Sequence, residues 1–230
     1  MTGADQLFYK RKARKLKEQQ RKIACRDPYD TVLIVCEGEK TEKNYFDSLV
    51  KDLKLNTANV LVANNSLGSA PKTVVDFAIK TYKGSEGGFD KVFCVIDKDR
   101  HSSYSAAIAK IQSTRLKRGH TIEAISSIPC FEYWLLLHFR QTSRNYYSGP
   151  GSVCSRVISD LKKCPGMANY EKGDANTFDR LKDKLEIAIR NSEIILNNCQ
   201  NTGTDNPSTK IHQLVVYLSN IKNIPNECRD

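Results

Sequence analysis

Between residues 30 and 140, short apolar runs alternate with amphipathic segments, and this constrains the fold more than any other feature. Thr31-Val32-Leu33-Ile34-Val35-Cys36 is a continuous run rich in β-branched residues, the pattern of a strand buried on both faces. Thr41 to Leu53 follows, with Tyr45, Phe46, Leu49, Val50 and Leu53 on one helical face. Asn59 to Ala63 reads as a second strand, and Pro71 opens a helix through Tyr82. Lys91 to Ile96 is a third strand. Ser105 to Arg118 is a helix, with Gly119 as the residue that closes it. Thr121 to Ile128 is a fourth strand. Phe131 to Phe139 is apolar nearly all round, hence a buried helix. Strand and helix alternating through short turns predict a parallel sheet with helices on both faces. Residues 30–140 are therefore expected to form a Rossmann-like α/β core.

Two flanks remain. Residues 1–29 form a basic arm, read as a polar helix over 7–24 that Pro28 ends by pushing Asp27 out of helical geometry. Residues 141–230 read as a helical extension packed on the core. Phe178, Leu181, Leu185, Ala188, Ile189 and Ile195 give one stripe, and Ile211, Leu214, Val215, Leu218 and Ile221 another. Asn206 before Pro207 fits an N-cap with proline at the first helical position.

The charge narrows the partners. The chain carries 36 Lys and Arg against 26 Asp and Glu, a formal +10. Lys10, Arg11, Lys12, Arg14, Lys15, Lys17, Arg21 and Lys22 crowd into one stretch opposed only by Glu18. That density suits phosphate contacts and counterion release, so a nucleic acid is the expected partner. Other classes fall away. No apolar run approaches the roughly 18 residues of a membrane helix, and no signal peptide is visible. Both observations point to the cytoplasm. GxxxxGK[ST], GxGxxG and GxSxG are all absent. The 8 cysteines contain no CxxC pair and the 4 histidines no HExxH, so a zinc site has no local support and free thiols are expected.

In a parallel sheet, ligands bind at the carboxyl edge of the strands. After strand one that edge carries Glu37, Gly38, Glu39, Lys40, Thr41 and Glu42. After strand three it carries Asp97, Lys98, Asp99, Arg100 and His101, and after strand four Glu132. Converging carboxylates repel one another unless a cation compensates. A hard divalent ion with oxygen ligands does so, and such ions can clamp the oxygens of a phosphodiester. Asp97 and Asp99 are two apart, so on an extended chain they point the same way. Gly38 lets backbone approach a phosphate closely. Glu39 and Glu42 rank behind Glu37, because acids in a helix's first turn also serve its dipole. His101 is a candidate proton shuttle and otherwise an inert loop residue. His138, on an apolar helix, reads as a satisfied core histidine. Lys40 and Arg100 flank the acids.

The blocks VLIVCEGEKTEKNYFDSL, KVFCVIDKDRH, PCFEYWLLLHF and NPSTKIHQLV, in this order, resemble the RloB family of bacterial proteins over roughly residues 31–220. RloB-like proteins are similar to Toprim-domain proteins. The Toprim pattern has a Glu after the first strand and an Asp-x-Asp after a later one, which fall here on Glu37, Asp97 and Asp99. The resemblance implies Mg²⁺- or Mn²⁺-dependent phosphodiester chemistry, with Glu37, Asp97, Asp99 and Glu132 as metal ligands and Glu42 a further candidate. It also implies an anti-phage role of the abortive-infection type, beside an ATPase from a neighbouring gene. No topoisomerase tyrosine domain or primase zinc module is seen.

The expected activity is a metal-dependent nuclease acting on RNA, tRNA included, or on DNA. Glu37, Asp97, Asp99 and Lys40 would be catalytic. Lys10, Arg11, Lys12, Arg14, Lys15 and Arg100, with Lys110 and Arg118, would hold the backbone. The alternative is a non-catalytic nucleic-acid- or nucleotide-binding regulator of the ATPase. The long arm and apolar tail also allow self-association.

Overall fold

The computed structural model describes residues 29–64, 68, 70–86, 88–98, 102–147 and 152–224. Strands β1 (Val32–Cys36), β2 (Val60–Asn64), β3 (Lys91–Asp97) and β4 (Thr121–Ile128) alternate with helices α1 (Thr41–Asp52), α2 (Pro71–Gly84) and α3 (Tyr104–Ser113). Then come α4 (Glu132–Leu137), α5 (Val153–Leu161), α6 (Thr177–Leu181) and α7 (Leu185–Thr202), a two-residue strand β5 (Ser208–Thr209) and α8 (Ile211–Asn220). The sheet order is β2-β1-β3-β4-β5, with the first four strands parallel and β5 antiparallel to β4. The α/β, Rossmann-like expectation is met: a mostly parallel sheet with helices on both faces.

Alternation along the strands sorts the two cores. Val32, Ile34, Cys36, Phe93 and Val95 face α1, α4 and the C-terminal helices. Leu33, Val35, Val92, Cys94 and Ile96 face α2 and α3. This is the period-2 consequence of the pleat, and it makes every residue of β1 buried. Thr31 ties the entries of β1 and β3 together. Its N–H and hydroxyl both donate to Asp90 Oδ2, at 2.7 and 2.6 Å.

Three local expectations are corrected. The helix expected over 105–118 ends at Ser113. Thr114 is extended (ψ 129°) and its hydroxyl donates to the Lys110 carbonyl at 2.7 Å, while Gly119 (φ 81°) serves the turn into β4. Asn206 and Pro207 do not open a helix. The amide of Asn206 donates to the Tyr146 carbonyl at 2.8 Å, and Ser208 and Thr209 pair with Ile128 and Ser127 as β5. Edge pairing, reinforced by the buried Ser127–Thr209 hydroxyl contact of 2.9 Å, wins over local helix signals. The extension is thus not purely helical: it supplies a strand. The basic arm, including Lys10, Arg11, Lys12, Arg14 and Lys15, lies outside the described residues. No helix among the described residues is long and apolar enough to cross a membrane.

Asp160, at the end of α5, anchors the segment leading out of α4. It is buried and accepts from Lys163 Nζ at 2.9 Å, the Tyr146 hydroxyl at 3.1 Å and Arg144 at 3.4 Å. Asp160→Ala strands a buried tyrosine hydroxyl. It is expected to cost about 1–3 kcal/mol, read by chemical denaturation.

Candidate functional site

The strand order reverses around β1, since β2 lies on one side of it and β3 on the other. The connections leaving β1 and β3 therefore diverge, and a crevice opens at their carboxyl ends. Four acids gather there. Glu37 directly follows β1, and its Oε2 accepts the Asp97 backbone N–H at 3.0 Å. Asp97 ends β3, and its Oδ2 accepts the Phe131 N–H at 3.3 Å. Glu132 opens α4, and Glu42 lies in the first turn of α1. Glu37, Glu42 and Glu132 are all buried.

Their proximity is legible in their protonation. Desolvation, followed by the charges of Glu42, Glu37 and Glu132, pushes the Asp97 carboxyl well above the usual carboxylate range. Burial, with the charge of Glu132 adding to it, raises Glu42 to about 7. Hydrogen bonds from the backbone N–H groups of Glu42 itself and of Gly38 oppose that rise, as does Lys172. Glu132 is 1% exposed; its Oε1 accepts Lys172 Nζ at 3.0 Å and the Tyr170 hydroxyl at 3.5 Å, while its Oε2 has no hydrogen-bond partner. Burial opposes the charge on Lys172, but the Glu132 carboxylate more than offsets it and holds the ammonium above its ordinary range.

The glycine after β1 has a different neighbour from the phosphate expected at the sequence level. A Cβ on Gly38 would overlap the Glu42 carboxylate, standing 2.5 Å from its Cδ. Glu42 is buried and hydrogen-bonded, so it cannot swing away cheaply. Gly38→Ala is expected to destabilise by about 1–3 kcal/mol, as overpacking does. In a double-mutant cycle read by thermal melting, Glu42→Ala should remove most of that cost.

The other expected site residues sort as follows. Glu39 and Lys40 are exposed, and the Lys40 stem lies against Gly173. Asp99, Arg100 and His101 lie outside the described residues. Lys110 is ion-paired with Asp76 between α2 and α3. Arg118 precedes β4, at the amino edge of the sheet and away from the acids. His138 is a buried core residue. Desolvation lowers it to about 4, and its ring lies 3.1 Å from the Trp134 carbonyl.

Residues 32–218 match the family described as RloB-like protein. This chain belongs to the RloB-like family. The match runs from the first residue of β1 into α8, so the family's extent takes in both the sheet and the C-terminal helices. No curated protein and no solved structure matches the chain.

Sequence reasoning missed four residues of this RloB-like site. Lys172 and Tyr170 come from the polar segment between α5 and α6, and no periodicity or motif marks them. Cys130 and Cys154 are the others. With Glu132 they form a buried group whose ligand atoms all lie within 4.8 Å of one another, a set that could hold a metal ion. Their separation in the chain hides this from any spacing rule. No disulfide joins the described cysteines.

The oxygen donors at the β1/β3 crevice fit a hard divalent cation. Glu37, Glu42 and Glu132 are buried and Asp97 is partly buried beside them, and desolvation together with their mutual repulsion raises Asp97 and Glu42. Of the described cations, Lys172 is ion-paired within the group, to Glu132.

Proposed function

We propose that this RloB-like protein is a metal-dependent nuclease. The observation that carries the reading is the gathering of Glu37, Asp97, Glu42 and Glu132 at the strand-order reversal, with Asp97 pushed above its ordinary range by burial and then by its acidic neighbours. Glu37 and Asp97 would hold Mg²⁺ or Mn²⁺, with Asp99 the further ligand the resemblance implies. Bound there, the ion supplies Lewis-acid activation of water and neutralises charge on the phosphodiester.

The chain's own residues set the stage. The Asp97 N–H fixes one oxygen of Glu37, and the Phe131 N–H fixes one oxygen of Asp97. Two backbone donors thus orient two carboxylates without adding charge. Glu42 keeps a proton up to about pH 7 in the ion-free protein, which limits repulsion in the crevice. Lys172 and Tyr170 hold Glu132 in place. The net charge of +10 draws a polyanion, and the exposed Lys40 stands at the mouth. In this reading the substrate is RNA, tRNA included, or DNA. The setting is the cytoplasm and anti-phage defence beside an ATPase.

The test is incubation of the purified protein with end-labelled tRNA, generic RNA and plasmid DNA, with Mg²⁺ or Mn²⁺ and with chelator. Cutting that requires the ion and is lost with chelator supports the nuclease and names its polymer. Tight binding with no cutting, with or without the ATPase, overturns it in favour of a regulator.

A further inference from the structure

We infer that Cys130, Cys154 and Glu132 form a second metal site, one for a thiophilic divalent ion of the zinc class. The two sulfurs and a Glu132 oxygen lie within 4.8 Å of one another, and all three residues are buried. Sulfurs bound to one tetrahedral ion at about 2.3 Å stand about 3.8 Å apart, so closing the group needs a shift of at most about an ångström. An independent observation points to a ligand. Glu132 Oε2 has no hydrogen-bond partner although the residue is 1% exposed, and a buried carboxylate oxygen seldom stays unsatisfied.

The donor chemistry selects the ion. Thiolates are soft and favour zinc over magnesium, which prefers water and carboxylates. The charge also closes. Each thiol gives up its proton when the ion binds, so the two thiolates and one carboxylate exceed the ion by a single negative charge. The Lys172 ammonium, 3.0 Å from Glu132 Oε1, balances it. Three protein ligands leave one tetrahedral position for water or another group.

The site adjoins the carboxylate crevice, since the charges of both Cys154 and Glu132 act on Asp97. Glu132 faces both groups. The inference is nevertheless independent of the nuclease reading, because it concerns sulfur ligation and needs no turnover.

The experiment uses the full chain, dialysed against zinc in excess Mg²⁺, with bound metal measured by mass spectrometry. Cobalt is then substituted to reveal thiolate-to-metal charge-transfer absorption. The expected result is one equivalent of zinc and clear charge-transfer bands. Cys154→Ser removes a direct ligand and should weaken zinc binding by about 100-fold or more, since even groups that only orient ligands cost up to that much. Cys199→Ser, a control on α7, should bind as the wild type does. Asp97→Asn should keep the zinc, whatever it does to cleavage. Absence of thiolate–cobalt bands in the wild type overturns the inference, even if the cysteine variants misfold. So does zinc binding that survives Cys154→Ser, or a Cys130–Cys154 disulfide in the freshly purified protein.

Discussion

Asp97→Asn is expected to abolish cleavage while making the metal-free protein more stable. Loss of a direct ligand should lower the rate by about 100-fold or more, since even groups that only orient ligands cost up to that much. The stability effect has the opposite sign. The folded protein raises the Asp97 carboxyl above its ordinary value, chiefly by desolvation and then by the neighbouring acids. The native state therefore holds protons that the unfolded chain releases. Such a group favours folding at low pH, and that contribution is lost as pH rises through the folded value. Glu42 behaves alike, with its window running from 4.5 to about 7. At pH 8 the asparagine variant and Glu42→Gln should each exceed the wild type, by on the order of 3 kcal/mol for Glu42→Gln. The gap should close towards pH 4. Denaturation in chelator across this range measures it. A variant that loses activity because it misfolds would move both readouts in the same direction.

Lys172→Ala should destabilise the protein through the carboxylate it leaves behind, Glu132. Removing one partner of a buried ion pair typically costs about 3–5 kcal/mol, because it leaves the other charge uncompensated. The Lys172 side chain is 56% exposed, so solvent replaces part of what it gives. A loss on the order of 2 kcal/mol is expected at pH 7. Glu132→Gln removes the charge that Lys172 balances. In that background Lys172→Ala should cost far less, and chemical denaturation of the four proteins in chelator gives the coupling. Equal costs in both backgrounds would show that Lys172 contributes packing alone.

Much of the fold was legible because the strands are short, apolar and separated by strong turn signals. The bounds of β4 match the expected 121–128, and β1 differs by one residue. The acids at the carboxyl edge followed from the same pattern, since a parallel sheet brings strand ends together whatever the loops do. What escaped was non-local. Thr114 ended α3 through a hydroxyl contact that no propensity reveals, and β5 exists only because β4 offers it an edge. Glu42 read as a helix-dipole acid, yet it is buried over Gly38. Lys172 and Cys154 reach Glu132 from segments with no periodic tie to it.

The most direct measurement is Mn²⁺ binding followed by electron paramagnetic resonance, in which free ion gives a signal that bound ion loses. Wild-type protein should deplete the free signal stoichiometrically, Mg²⁺ should restore it, and Asp97→Asn should leave it intact while Cys154→Ser depletes it normally. A wild type that leaves the signal unchanged, or an Asp97→Asn variant that depletes it equally, would contradict a carboxylate metal site at the β1/β3 edge.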